Sequence, residues 1–106
     1  MELIPLEPID AHVFRATLDG YRVTFRQHYQ TWAGRWYLDV TCAEVGLDSR
    51  GFALVTGRDI LANRTLGRMG RLFLLDTAGD EDPTYEGLGT RWVLLYQTRS
   101  EVDASA

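Results

Sequence analysis

The sequence predicts an all-β domain, a small single-domain antiparallel β-barrel or sandwich of about six to seven strands, on three observations. Residues 21–28 and 35–42 alternate apolar and polar side chains with the period of two that turns one face of a strand to a core and the other to water. Asp19-Gly20 precedes the first of these runs, and Asp-Gly is a favoured pair for a two-residue type I′ turn, in which both central positions need positive φ. Two later runs, Leu72 to Leu75 and Trp92 to Tyr96, carry apolar residues on both faces and complete the sheet.

Along the chain, residues 1–10 read as an extended arm or edge, because Pro5 and Pro8 fix φ and remove backbone donors that a sheet interior would need. The β domain spans residues 11–98. Ala11 to Leu18 sets Phe14, Ala16 and Leu18 against Val13, Arg15 and Thr17. The return strand, Tyr21 to His28, sets Tyr21, Val23, Phe25 and Gln27 against Arg22, Thr24, Arg26 and His28. A turn with its tip at Ala33-Gly34 leads into Arg35 to Cys42, where Trp36, Leu38, Val40 and Cys42 form the inward set. A loop is expected over Ala43 to Arg50, then a short strand from Phe52 to Thr56. Glycines at 67 and 70 break any long helix in residues 58–70, which read as a crossing segment with at most one helical turn. Residues 99–106 are small and polar and are expected to form a disordered tail.

Composition narrows the function. The 106 residues suit one domain, and an apolar share of 45% is that of a globular chain. All 11 basic residues are arginine, against 15 acidic ones, for a net charge of −4. The basic footprint of a nucleic-acid binder is therefore missing. Cys42 is the single cysteine, which excludes an internal disulfide and suggests folding in a reducing cytoplasm. The N-terminal residues lack a basic region and a signal-length apolar run. No segment approaches the roughly 18 apolar residues of a membrane helix, so a soluble chain is expected.

No chemical machinery stands out. His12, His28 and Cys42 do not supply a four-ligand zinc spacing or a nucleophile pair. No Gly-x-Ser-x-Gly elbow surrounds a serine, and neither Gly67-Arg-Met-Gly70 nor Gly87-Leu-Gly89 fits a phosphate-binding fingerprint. The carboxylates Asp76, Asp80, Glu81, Asp82 and Glu86 lack the register of a dedicated calcium loop and read better as a solvated or arginine-paired acidic loop. No cofactor or metal is expected. Within that loop, Asp80, Asp82 and Pro83 build a stiff turn, and Tyr85 is an aromatic anchor among carboxylates. Such a pattern suits either a protein-binding surface or an ordinary loop whose Tyr85 tucks back onto its own domain.

The segment Asp76-Thr-Ala-Gly-Asp-Glu-Asp-Pro-Thr-Tyr-Glu-Gly-Leu-Gly89, followed by Val93-Leu-Leu-Tyr96, resembles the C-terminal signature of the small baseplate plug proteins of contractile-tailed bacteriophages. Trp36-Tyr-Leu-Asp-Val40 resembles that family's Trp-Tyr-Leu-Asp strand, and Ile4-Pro5-Leu6 with the Asp19-Gly20 hairpin resembles its N-terminal half. Gly57-Arg-Asp-Ile-Leu61 departs from the family's Gly-x-Asn-Leu-Leu-like segment at Asp59 and Ile60. The likeness spans residues 3 to 98.

The resemblance implies a structural virion protein without enzymatic activity, synthesised in a bacterial host and placed in the tail baseplate near the hub and spike. Its partners would be other baseplate proteins (hub, spike, wedge or tube components), in three- or six-fold symmetric copies, with neither nucleic acid nor membrane as partner. Strands apolar on both faces must be covered on both, by a partner subunit or by the Ile60 to Leu66 segment. Phe73, Leu75, Val93 and Leu95 are accordingly the expected apolar contact surface, and Asp80, Asp82, Pro83 and Tyr85 the expected contact with a basic neighbour. Two other readings are a ligand-binding barrel with Trp36, Tyr37 and Trp92 at its mouth, and an accessory binder of a basic partner.

Overall fold

A computed structural model of the chain describes residues 1–9, 12–61 and 69–105. Seven strands form two antiparallel sheets: β1 (Glu2–Ile4), β2 (His12–Leu18), β3 (Tyr21–Gln30), β4 (Arg35–Cys42), β5 (Leu47–Ala53), β6 (Arg71–Asp76) and β7 (Trp92–Gln97). A helix, α1 (Arg99–Ser105), follows. One sheet has the order β2-β3-β4-β5, the other β1-β7-β6. The sheets do not close on each other, so of the two architectures the sequence allowed, the sandwich is the one adopted.

Alternation places the core. Val23, Phe25, Trp36, Leu38, Val40 and Cys42 from the first sheet meet Ile4, Leu72, Leu74, Trp92, Leu94 and Tyr96 from the second in one apolar cluster. Each fully buried side chain of this kind contributes about 1.5–3 kcal/mol. Asp19 and Gly20 both take positive φ, 51° and 82°, as the β2–β3 turn requires. Asp19 then reaches the other sheet: it accepts a hydrogen bond from the Tyr96 hydroxyl and another from the Arg99 main-chain N–H at 2.9 Å. Burial, followed by this contact with a carboxylate, pushes the Tyr96 hydroxyl well above the usual phenol range.

Two stretches differ from the sequence expectation. The region 43–50 is not a loop: Ala43–Val45 is a single 3-10 turn ended by Gly46 in the left-handed region, and β5 begins at Leu47. A register shift between Leu38 and Val40, with Gly51 at φ 66°, bulges this strand. The bulge breaks the period of two, and Ser49 occupies a buried position, so the run did not read as a strand. Residues Arg99–Ser105, expected to be disordered, form α1, whose first turn is held by Glu101 accepting from the Thr98 N–H at 3.0 Å. Within the N-terminal arm, Glu2–Ile4 pairs with β7 as an edge strand. Beyond it, Gln27 is fully buried and donates its side-chain amide to the carbonyls of Glu7 and Ile9, strapping the arm to β3.

Candidate functional site

The outer face of the three-stranded sheet is apolar by register. Leu3 lies opposite Leu95, and Leu95 opposite Phe73, so the three form one row across β1, β7 and β6. Val93 and Leu75 form the next row. Leu3 is 61% exposed and Leu75 41%, and the other three are half-buried. Beside them a shallow depression of about 480 Å³ is lined by Thr56, Phe73, Leu75 and Gln97, among others.

Residues 56–60 run along the free edge of β6. The Gly57 N–H donates to the Leu74 carbonyl at 2.9 Å and the Ile60 N–H to the Leu72 carbonyl at 2.7 Å, while Asp59 accepts from Leu61 and Leu72 N–H groups. Ile60 and Leu61 turn into the core. Of the expected Ile60 to Leu66 cover, the described part thus protects a sheet edge and not the outer face, and Leu66 lies outside the described residues. Among the described residues, Leu3 and Leu75 on that face remain exposed.

The acidic loop after β6 is organised from within. Asp76 falls in phase with Leu72 and Leu74, so its side chain enters the protein, where its carboxylate takes two hydrogen bonds from Arg91 at 2.7 and 2.9 Å. It also accepts from the N–H groups of Ala78 and Glu81, both at 3.0 Å. The Arg91 hydrogen bonds, assisted by those from the backbone and opposed by burial, hold this carboxyl well below the usual carboxylate range. Arg91 also reaches Glu81 at 3.3 Å and lies over the Trp92 ring. The loop is then pinned to the sandwich by both buried indoles: Trp92 Nε1 donates to the Glu81 carbonyl at 2.9 Å and Trp36 Nε1 to the Thr84 carbonyl at 3.1 Å. Thr56 donates its hydroxyl to Glu81 O at 2.6 Å, so the loop borders the apolar depression.

The expected loop residues divide. Asp80 and Asp82 are exposed, Asp82 accepting a long 3.4 Å hydrogen bond from the Thr56 N–H. Pro83 is buried and shapes the turn from inside. Tyr85 is 40% exposed, with its ring stacked on Trp36 and edge-on to Tyr29. Tyr85 therefore does tuck back onto its own domain while leaving part of its ring outside. Among the described residues, no group of three or more His, Cys, Asp or Glu is placed to hold a metal ion, and no helix is long and apolar enough to cross a membrane.

One contributor was not anticipated, and another was foreseen only as a class of pairing. Leu3 joins the apolar face only through its pairing with Leu95, which no local pattern announces. The sequence offered an arginine-paired acidic loop without naming the arginine; Arg91 is that partner, and Asp76 stands on the inward phase of an apolar strand.

A comparison with known protein families gives a match over most of the chain. The family described as the cyanophage baseplate Pam3 plug gp18 matches residues 1–100. The chain belongs to this family. No curated protein matches it.

Membership makes the chain a baseplate plug protein, a structural part of the phage tail baseplate that interacts with other baseplate components. It also bears out the resemblance read from the acidic loop and the strand after it. The barrel-mouth reading loses its site, because Trp36 and Trp92 are buried and their N–H groups are already bonded to loop carbonyls.

Proposed function

We propose that this plug is a non-enzymatic brick of the tail tip, made in the host cytoplasm and docked near the central hub and spike in three- or six-fold symmetric copies. Its apolar outer face, Phe73, Leu75, Val93 and Leu95 with Leu3, meets another baseplate protein. Its acidic loop, through Asp80, Asp82 and Tyr85 and with the turn set by Pro83, faces a basic neighbour. The observation that carries this reading is the pair of apolar rows on the outside of the three-stranded sheet, where, among the described residues, Leu3 and Leu75 are exposed and Phe73, Val93 and Leu95 half-buried. An exposed apolar patch rimmed by polar groups is what a protein interface leaves behind when the partner is absent. A stable contact of this kind buries about 800 Å² on each partner.

The test is Leu75→Asp. Leu75 points outward, so the isolated variant is expected to keep the wild-type circular dichroism and melting temperature. Purified tails from cells carrying it should lack the plug by mass spectrometry. Particles containing normal amounts of the variant would overturn the proposal.

A further inference from the structure

The outer face of the four-stranded sheet carries a second surface of opposite sign. Thr24, in the middle of β3, lies opposite Arg15 of β2, and Arg22 and Arg26 flank it two residues away on the same face. Side chains placed two residues apart, or diagonally across strands, stand roughly 7–8 Å from each other. Three arginines therefore flank Thr24 on this face, and all three are exposed.

The chain's own carboxylates leave this cluster largely unneutralised, although acidic residues outnumber basic ones, 15 to 11. Among the described residues no ion pair engages the guanidinium of Arg15 or Arg22. Glu44 accepts the main-chain N–H of Arg22, at 3.0 Å, and not its side chain. Asp48 is taken by Arg50 at 2.8 Å. Arg26 reaches Asp39 only at 3.7 Å, and Asp39 is shared with His28 at 3.5 Å and with the Gly51 N–H at 2.7 Å. A shallow hollow of about 300 Å³ lies between Arg15 and Arg22, lined also by Ala16 and Thr17. Adjacent like charges repel one another, and forked guanidinium donors suit carboxylates, so the surface is built to receive an anionic group.

We propose that the triad Arg15, Arg22 and Arg26 seats the acidic loop of a second copy of this chain, giving a head-to-tail contact between plugs. This rests on the reading above that Asp80 and Asp82 face a basic neighbour, and it names that neighbour. The loop is stiffened before contact by Asp76, Trp36 and Trp92 and presents Asp80 and Asp82 to solvent. It leans on the core-facing side chains of Trp36 and Tyr29, whereas the triad is on the opposite face of the same sheet. Within one chain the two surfaces cannot meet. Between copies they complement each other, and a contact joining two different patches propagates around a ring when its rotation closes.

Two charge-reversed proteins test this by sedimentation velocity at low ionic strength, Arg15→Glu/Arg22→Glu and Asp80→Arg/Asp82→Arg. Wild type is expected to self-associate reversibly, and each reversed protein alone to associate about tenfold more weakly or not at all. Mixing the two reversed proteins should restore association, because the acidified face of one then meets the basic loop of the other. Restoration also shows that both are folded. A wild type that stays monomeric at every concentration, a face-reversed protein that associates like wild type, or a mixture that stays apart would each overturn the proposal. If wild type is monomeric while Asp80→Arg/Asp82→Arg is lost from tails, the loop seats on a different baseplate protein. The self-contact is then wrong, and the plug's docking role stands.

Discussion

Asp76 and Arg91 close the root of the acidic loop, carboxylate against guanidinium, through two hydrogen bonds of 2.7 and 2.9 Å. The aspartate side chain is fully buried and the arginine side chain 35% exposed, so the pair joins the core to the surface. Residues 77–90 leave and return through this one clasp. The loop can carry exposed carboxylates in a fixed arrangement because its own buried carboxylate is satisfied by Arg91 and by two backbone N–H groups.

Replacing Asp76 with Asn keeps the shape and removes the charge. Arg91 then loses its buried anion and keeps only the exposed Glu81 carboxylate at 3.3 Å, and the Ala78 and Glu81 N–H groups lose a strong acceptor, so the loop should become sensitive to limited proteolysis. The pH dependence has a definite sign. The folded-state pKa of Asp76 lies below its ordinary value of 3.8, so its contribution is complete above that value and is lost as pH falls toward the folded one. Wild type should lose stability in denaturant melts below about pH 4, and Asp76→Asn should show a flatter profile there. Equal slopes for the two proteins would show that the clasp does not set the acid limb.

Tyr96→Phe removes one hydroxyl that links three segments. That hydroxyl donates to Asp19 in the β2–β3 turn and accepts the Gly70 N–H at 2.7 Å. Without it the Gly70 N–H loses its acceptor in a part-buried position, a loss of about 1–3 kcal/mol by urea unfolding. Hydrogen exchange at Gly70 should quicken more than at residues of β3 and β4.

Most of the sandwich was legible because its strands obey a period of two. Tyr21 to His28 and Arg35 to Cys42 needed nothing beyond that pattern, and Asp19-Gly20 carried its own turn chemistry. What stayed hidden depends on partners distant in sequence. The strand β5 was obscured by a bulge at Gly51 that is meaningful only against β4. The helix α1 is the exception: its Thr98–Glu101 capping box is local and stands in the sequence, and only the Asp19 carboxylate that accepts the Arg99 N–H comes from a distant segment. At the candidate site, outward placement of Phe73, Leu75, Val93 and Leu95 followed from alternation, whereas the contribution of Leu3 required the β1–β7 register. Pro83 looked like a surface turn residue, and its burial follows from the indole hydrogen bonds that draw the loop inward.

Gly89→Ala should uncouple the N-terminal arm. Gly89 has φ 89°, and a Cβ there would stand 2.1 Å from the Leu6 carbonyl oxygen. The left-handed backbone alone disfavours alanine by roughly 1–2 kcal/mol. The clash adds to this unless the arm moves, which would withdraw Leu6 from the core. Faster amide exchange at Leu3 and Ile4, with β3 and β4 unchanged, would mark that movement. An unaltered arm would mean the loop yields instead.

Tyr85 and Asp82 should affect assembly in different ways, which separates anchoring from charge. Tyr85→Ala removes the stacking on Trp36 and the edge contact with Tyr29, about 0.5–1.5 kcal/mol for each aromatic pair, along with the exposed part of the ring. It should lower both the melting temperature and the plug content of tails, whereas Tyr85→Phe keeps the packing and should do neither. Among the described residues Asp82→Ala loses one contact, the 3.4 Å hydrogen bond from the Thr56 N–H, so the isolated protein should melt normally. Its incorporation should nonetheless fall at low salt and approach that of wild type at high salt, because charges that meet at a wet interface are screened over roughly 10 Å at 0.1 M. A deficit in Asp82→Ala that does not vary with salt would place this carboxylate's role inside the loop and not at the neighbouring subunit.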